Sequence, residues 1–172
     1  KGLPEGPASG QDFVSRFHQE AKALAALCHP CIVSVYDFVE EHGRVWIVLE
    51  YVDGGDLAAH LRVQGPLALS EVARLGALCA EALHYAHEQG VVHRDLKPEN
   101  VLLTRRGGQE DFVKVLDFGI AKRGDAEDPS KAKLTKQGMV LGTPPYMSPE
   151  QFSGDLLDAR SDIYSLGIMT YE

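Results

Sequence analysis

No stretch of this 172-residue chain approaches the roughly 18 consecutive apolar residues of a membrane-spanning helix, and no charged-then-apolar start resembles a signal peptide. A membrane segment within the chain is therefore not expected. Cysteine is scarce, and three of them, an odd number at this length, do not read as a disulfide framework and suit a reducing compartment. Positive charge is short as well: 17 Lys and Arg stand against 25 Asp and Glu, a formal charge of −8. The electrostatic footprint of a nucleic-acid binder is missing, so no nucleic-acid partner is expected. Glycine and proline, 17 and 9 residues, fall below the share that marks low complexity. With 44% apolar and 24% charged residues, the composition is that of a folded globular chain, and its length suits one domain or a piece of a larger one.

The first residue is Lys1 and not Met, and Met169-Thr170-Tyr171-Glu172 continues an apolar-rich segment with no helix stop, which reads as an interior piece of a longer parent. After a Gly- and Pro-rich start, Phe13, Phe17, Ala21, Leu24 and Leu27 recur at spacings of three and four, predicting an amphipathic helix that His29-Pro30 ends. Two β-rich runs follow, 32–39 and 44–51, joined by a short loop at residues 40–43. Gly54-Gly55 breaks the pattern ahead of a short helix over 56–62. A long helix runs from Ser70, as N-cap, to about Gln89, with Val72, Leu75, Cys79, Leu83 and Ala86 on one face and Gly90 as its C′ residue. Short apolar runs at 91–92, 101–103 and 113–116 come next. The charged segment 123–136 has almost no large apolar residues, and a last helix starts near Ser161-Asp162.

The segment His93-Arg94-Asp95-Leu96-Lys97-Pro98-Glu99-Asn100, with Asp117-Phe118-Gly119 after the next apolar runs, resembles the catalytic loop and metal-binding motif of the protein kinases. Phosphoryl transfer spreads negative charge over the moving group, so a site for it needs cations and an acceptor that orients the attacking hydroxyl. The resemblance implies that Asp95 faces the substrate hydroxyl, that Lys97 neutralises the transferring phosphate, and that Asn100 and Asp117 hold Mg2+. Lys-Pro-Glu at 97–99 is similar to the serine/threonine form of the loop. Residues 142–150, ending Ser148-Pro149-Glu150, resemble the close of an activation segment, where Thr143 would contact Asp95 and Lys97. Residues 158–167 resemble the start of a buried helix whose Asp162 braces the catalytic-loop backbone.

Residues 48–57 look like the hinge between two lobes. That resemblance places adenine against the backbone of Glu50 and Val52, with Leu49 as gatekeeper, Asp56 within reach of the ribose and Leu102 as the adenine floor. Lys1 stands where a kinase has the lysine of its third strand, on the α- and β-phosphates, and Glu20, nineteen positions on, would hold it. Leu24, Val35, His93 and Phe118 would stack as an apolar spine. Cys28-His29-Pro30-Cys31 has a metal-site spacing but no second pair, so its cysteines read as small buried hydrophobes in a turn.

The chain is thus identified as similar to the eukaryotic-like serine/threonine kinases of bacteria. The fold implied is α+β and two-lobed, with the N-lobe incomplete and lacking its Gly-rich loop and the C-lobe truncated: 1–52 an N-lobe remnant and hinge, 53–172 part of the C-lobe. The resemblance implies transfer of the ATP γ-phosphate to Ser and Thr hydroxyls of proteins in a signalling role, with ATP and Mg2+ as cofactors. A pseudokinase scaffold, or an inactive fragment, is the alternative. Protein substrates are the expected partners, with self-association for autophosphorylation, and the cytoplasm is the expected location, any membrane anchor lying outside the chain. Thr135 is the candidate activating phosphosite, since a phosphate there could recruit Arg94. Residues 1–172 alone are expected to lack activity and fold poorly, with Glu150 left without its ion-pair partner.

Overall fold

Backbone pairing around residues 31–33 sets where the first described strand begins. The computed structural model describes residues 23–41, 44–106, 108–118 and 144–172. Helical structure at 23–25 closes in a turn at residue 26, ahead of His29-Pro30. Val115 then donates to the Cys31 carbonyl (2.8 Å) and accepts from Val33 N (2.9 Å), a parallel bridge that engages these backbone groups. For that reason strand β1 begins at Val35 and not at Ile32, and runs to Glu41. It pairs antiparallel with β2, Arg44–Leu49, in a register that reaches Glu41 opposite Arg44, so the connection is tighter than the four residues expected.

The apolar runs at 101–103 and 113–116 extend into a hairpin of β4, Val101–Arg106, and β5, Gln109–Val115. Val101, Leu103, Val113 and Val115 alternate inward and are buried. A third strand, β3, forms at Gly54–Asp56 on the far edge of β4, where the sequence predicts only a break. Glycine is needed there because a Cβ on Gly54 would stand 1.9 Å from the Leu103 carbonyl oxygen.

Helix α1, Leu57–Gln64, starts at Asp56, whose Oδ1 accepts from Ala59 N at 2.7 Å. Helix α2, Leu69–Glu88, begins one residue before the predicted cap: Ala68 occupies the N-cap without a side-chain bond, and Ser70 lies inside the first turn. The other end is as expected, since Gly90 at φ 73 lets Val91 N reach the Ala86 carbonyl and Gly90 N the His87 carbonyl, both at 2.9 Å. Leu75, Cys79, Ala82, Leu83 and Ala86 form the buried stripe. Each large side chain on it contributes about 1.5–3 kcal/mol by leaving water. Helices α3, Pro149–Ser153, and α4, Ala159–Tyr171, complete the described elements. Helix α4 is capped by Asp158, whose carboxylate accepts from Arg160 N, and its first residue, Ala159, lies two positions before the Ser161-Asp162 expected. One core gathers Leu24, Leu27 and Ile32 with α2, the β4–β5 hairpin, Leu96, Phe118 and Met169 of α4.

Candidate active site

His93, fully buried, joins the two sequence motifs. Its Nε2 lies 3.0 Å from the carbonyl oxygen of Leu116, next to Asp117, and must donate there. Its Nδ1 accordingly accepts, from the backbone N–H of Asp95 at 3.2 Å. One neutral imidazole thus fixes Asp95 and Asp117 relative to one another. Burial lowers the His93 pKa against the opposing pull of Asp162, the Leu116 carbonyl, Asp95 and Asp117, which keeps it in that neutral form.

The backbone of the loop is held from α4. Asp162, 1% exposed, accepts from His93 N through Oδ2 and from Arg94 N through Oδ1, each at 2.8 Å. Its Oδ2 also accepts from His87 Nε2 at 2.7 Å. This is the bracing role expected of Asp162. Arg94 has φ 66, a left-handed conformation that costs a non-glycine residue about 1–2 kcal/mol. The cost is met from both sides, because Gln151 Nε2 donates to the Arg94 carbonyl at 2.7 Å. Asp117 has φ 61, the second left-handed non-glycine residue among the described ones.

Within the loop, Pro98–Asn100 forms a 3-10 turn in which Asn100 N donates to the Lys97 carbonyl. Asn100 Nδ2 donates to the Asp95 carbonyl at 2.8 Å, and the Asn100 carbonyl accepts from Leu116 N at 2.8 Å. Lys97 Nζ stands 3.5 Å from Asp95 Oδ2. Asp95, Lys97, Asn100 and Asp117 are therefore gathered in one place. The spine residues also meet in part: the rings of His93 and Phe118 are 4.7 Å apart, and Leu24, Val35 and Phe118 line one small cavity of about 30 Å³, beside Leu49 and Asp117.

In the segment expected as the hinge, Glu50 N donates to the Ser34 carbonyl at 2.8 Å, so of its two backbone groups it is the carbonyl that is left to face a ligand. Its carboxylate accepts from Ser34 N at 3.0 Å and from Lys114 Nζ at 2.7 Å. Asp56 uses Oδ1 as the cap of α1, and Leu102, opposite both Asp56 and Lys114 in the sheet, is half-buried. Lys1, Glu20, Thr135 and Thr143 lie outside the described residues.

Cys31 and Cys79 are buried free thiols, as expected, and burial pushes the Cys79 thiol up to about 12. Cys28 is exposed and does not fit the reading of a buried hydrophobe. Among the described residues no group of three His, Cys, Asp or Glu is gathered as a metal site. Glu150, expected to lack its ion-pair partner, accepts a hydrogen bond from Ser161 Oγ at 2.7 Å. His87, Lys114 and Gln151 escaped the sequence reading. Only Gln151 had a local signal, because Ser148-Pro149-Glu150-Gln151 fits a capping box: Gln151 N donates to Ser148 Oγ while Gln151 Oε1 accepts from Ser148 N.

A loop carrying Asp95, Lys97 and Asn100, braced by the buried Asp162 of the half-exposed helix α4, and a left-handed Asp117 beside the β4–β5 hairpin together fit the protein-kinase class. Residues 6–172 match the family described as protein kinase domain, and the chain belongs to it. It is 49% identical over 165 residues to serine/threonine-protein kinase pkn3 of Myxococcus xanthus, covering 95% of this chain and 30% of that protein. To serine/threonine-protein kinase PknB of Mycobacterium tuberculosis it is 41% identical over 169 residues, 96% of this chain and 26% of that protein. The solved kinase domain of Mycobacterium tuberculosis PknI superposes with a TM-score of 0.74 at 34% identity, over 99% of this chain and 60% of that one. The fold is thus the α+β kinase fold, and the chain spans less than a third of these curated relatives.

Proposed function

We propose that the full-length protein is a serine/threonine kinase that transfers the γ-phosphate of ATP to Ser and Thr hydroxyls of protein substrates. The observation that supports this best is the gathering of Asp95, Lys97, Asn100 and Asp117 around one buried imidazole. In this reading the Asp95 carboxylate accepts the hydrogen bond of the substrate hydroxyl and aims its oxygen at the phosphorus. Lys97 places a positive charge beside the same point. Asn100, with Nδ2 engaged by the Asp95 carbonyl, offers its amide oxygen, and Asp117 offers a carboxylate. Two hard oxygen donors completed by phosphate oxygens are the set that magnesium takes. Bound there, Mg2+ supplies positive charge that screens the phosphate oxygens.

The Glu50 carbonyl and Val52 N–H bind the adenine edge above Leu102, Asp56 reaches the ribose through its second oxygen, and Lys1, held by Glu20, binds the α- and β-phosphates. The hinge separates 1–52 from 53–172 as two lobes. Thr135 is the activating phosphosite, reached by self-association and autophosphorylation. Mass spectrometry of the active protein should find phosphate on Thr135.

Asp95→Asn tests the central claim. It removes the group that orients the hydroxyl and leaves the phosphate ligands in place, so phosphorylation of a generic basic protein should fall at least about a hundredfold. ATP affinity should stay within about twofold. Retention of the wild-type rate would refute the assignment.

A further inference from the structure

Lys114 is an odd residue to find on β5. Its neighbours Val113 and Val115 are fully buried, and its own side chain, on the opposite face, is only 12% exposed. A lysine so far from water needs acceptors, and it has two: Glu50 Oε2 at 2.7 Å and the Ile32 carbonyl at 3.1 Å. The same Glu50 oxygen accepts from Ser34 N at 3.0 Å, and Glu50 N donates back to the Ser34 carbonyl at 2.8 Å. One ammonium group and one carboxylate thus close a ring through three pieces of chain far apart in sequence: the segment 32–34, the hinge at 50 and β5 at 114.

Close packing does not fix this ring from every side. A cavity of about 520 Å³ borders it, lined by Cys28, His29, Ser34, Glu50, Phe112 and Lys114 among others, while neither Leu102 nor Asp117 lines that cavity. With open space on one flank, the position of the hinge depends on its polar bonds. Burial works against the Glu50 charge, yet the bonds from Lys114 and Ser34 together with the Lys114 charge outweigh it and keep the carboxyl below its ordinary value.

We infer that Lys114 is a positioning residue for the nucleotide: it acts through the Glu50 carboxylate to fix the hinge backbone of Glu50 and Val52 at the height an adenine requires. The inference rests on the kinase reading above. It separates two quantities that general damage would move together. A displaced hinge weakens ATP binding in ground state and transition state alike, whereas the orientation of the hydroxyl at Asp95 does not pass through Lys114.

The test uses the full-length protein as wild type, Lys114→Met, Lys114→Arg and Glu50→Gln, with kcat, KM for ATP and KM for a basic protein substrate measured alongside ADP affinity by calorimetry. Lys114→Met keeps the stem and removes the charge, so KM for ATP should rise about fivefold while kcat and the protein-substrate KM stay within about twofold. Lys114→Arg, which keeps the charge and its donors, should recover most of the loss, and Glu50→Gln, which retains an acceptor for Ser34 N, should give an intermediate KM. An unchanged KM in Lys114→Met, or a kcat that falls in proportion, overturns the proposal. Should Lys114→Met fail to fold, an unchanged KM in Glu50→Gln overturns it equally. Should the wild type transfer no phosphate at all, the kinase reading fails on its own, and ADP affinity still decides the role of Lys114.

Discussion

At the residue scale the geometry of the site turns on His93. The neutral imidazole uses both nitrogens, one to donate to Leu116 and one to accept from Asp95 N, and a proton on Nδ1 would turn the second bond into a clash of donors. The folded protein therefore resists protonation, and the His93 pKa lies below its ordinary 6.5. The unfolded chain binds that proton as pH falls through about 6.5 and the folded chain does not, so His93 stabilises above that pH and its contribution declines on acidification until the folded value is reached. His93→Phe keeps a ring against Phe118 and removes the titration. Denaturant unfolding at pH 7.5 and 5.5 should show the wild type losing more stability between the two than the variant. At pH 7.5 the variant should be weaker by about 1–3 kcal/mol, because the N–H of Asp95 is left without its acceptor. An identical pH slope in both proteins would show that this imidazole is not held neutral.

Among the elements, the two short stretches around the helix starts of α3 and α4 do more than cap helices. Asp162, in the first turn of α4, takes three hydrogen bonds, one from the buried His93 N and two from the half-buried Arg94 N and His87. Asp162→Ala leaves those donors unsatisfied and releases the left-handed Arg94, so stability should drop by ~3 kcal/mol or more and phosphoryl transfer should be lost with it. Ser148→Ala removes the cap of α3 and should cost about 1 kcal/mol. If it also halves activity or worse, the path runs through Gln151, whose amide sits on the Arg94 carbonyl; a combined Ser148→Ala and Gln151→Ala variant measured in the same assay checks this. These elements also mark what could be read beforehand. Helix α2 was legible because Leu75, Cys79, Leu83 and Ala86 repeat at helical spacing and Gly90 closes it, and the compact 93–100 loop was legible because its parts are local, Asn100 Nδ2 reaching the Asp95 carbonyl only five residues back. Strand β3 was not, since Gly-Gly-Asp carries no strand signal and its pairing is supplied by β4, nearly fifty residues later. The pairs His87 with Asp162 and Glu50 with Lys114 were invisible for the same reason: they are 75 and 64 residues apart, and only the fold brings them together.

For the molecule as a whole, charge poses a problem that the site has to solve. A chain with a formal charge of −8 repels a nucleotide that is itself an anion, and Asp95 and Asp117 add negative charge where the phosphates would sit. Lys97 offsets part of this, but it already faces Asp95 at 3.5 Å. In the proposed reading the remainder comes from the metal held by Asn100 and Asp117, so nucleotide binding should depend on magnesium and not on ATP alone. Linkage makes the dependence measurable: a ligand at a hundred times its dissociation constant adds about 2.7 kcal/mol to the stability of the state that binds it. For a domain of this size that is a rise in Tm of about 5–10 °C. Thermal unfolding of the full-length protein with ATP and Mg2+ should show that rise in the kinase-domain transition, and ATP with a chelator should show little of it. Asp117→Asn, which removes one ligand charge but keeps the side-chain size, should shrink the magnesium-dependent part and leave the chelator baseline unmoved. An equal shift with and without magnesium would mean that the phosphates are bound by protein cations alone, and Asp117 would then lose its place as a metal ligand.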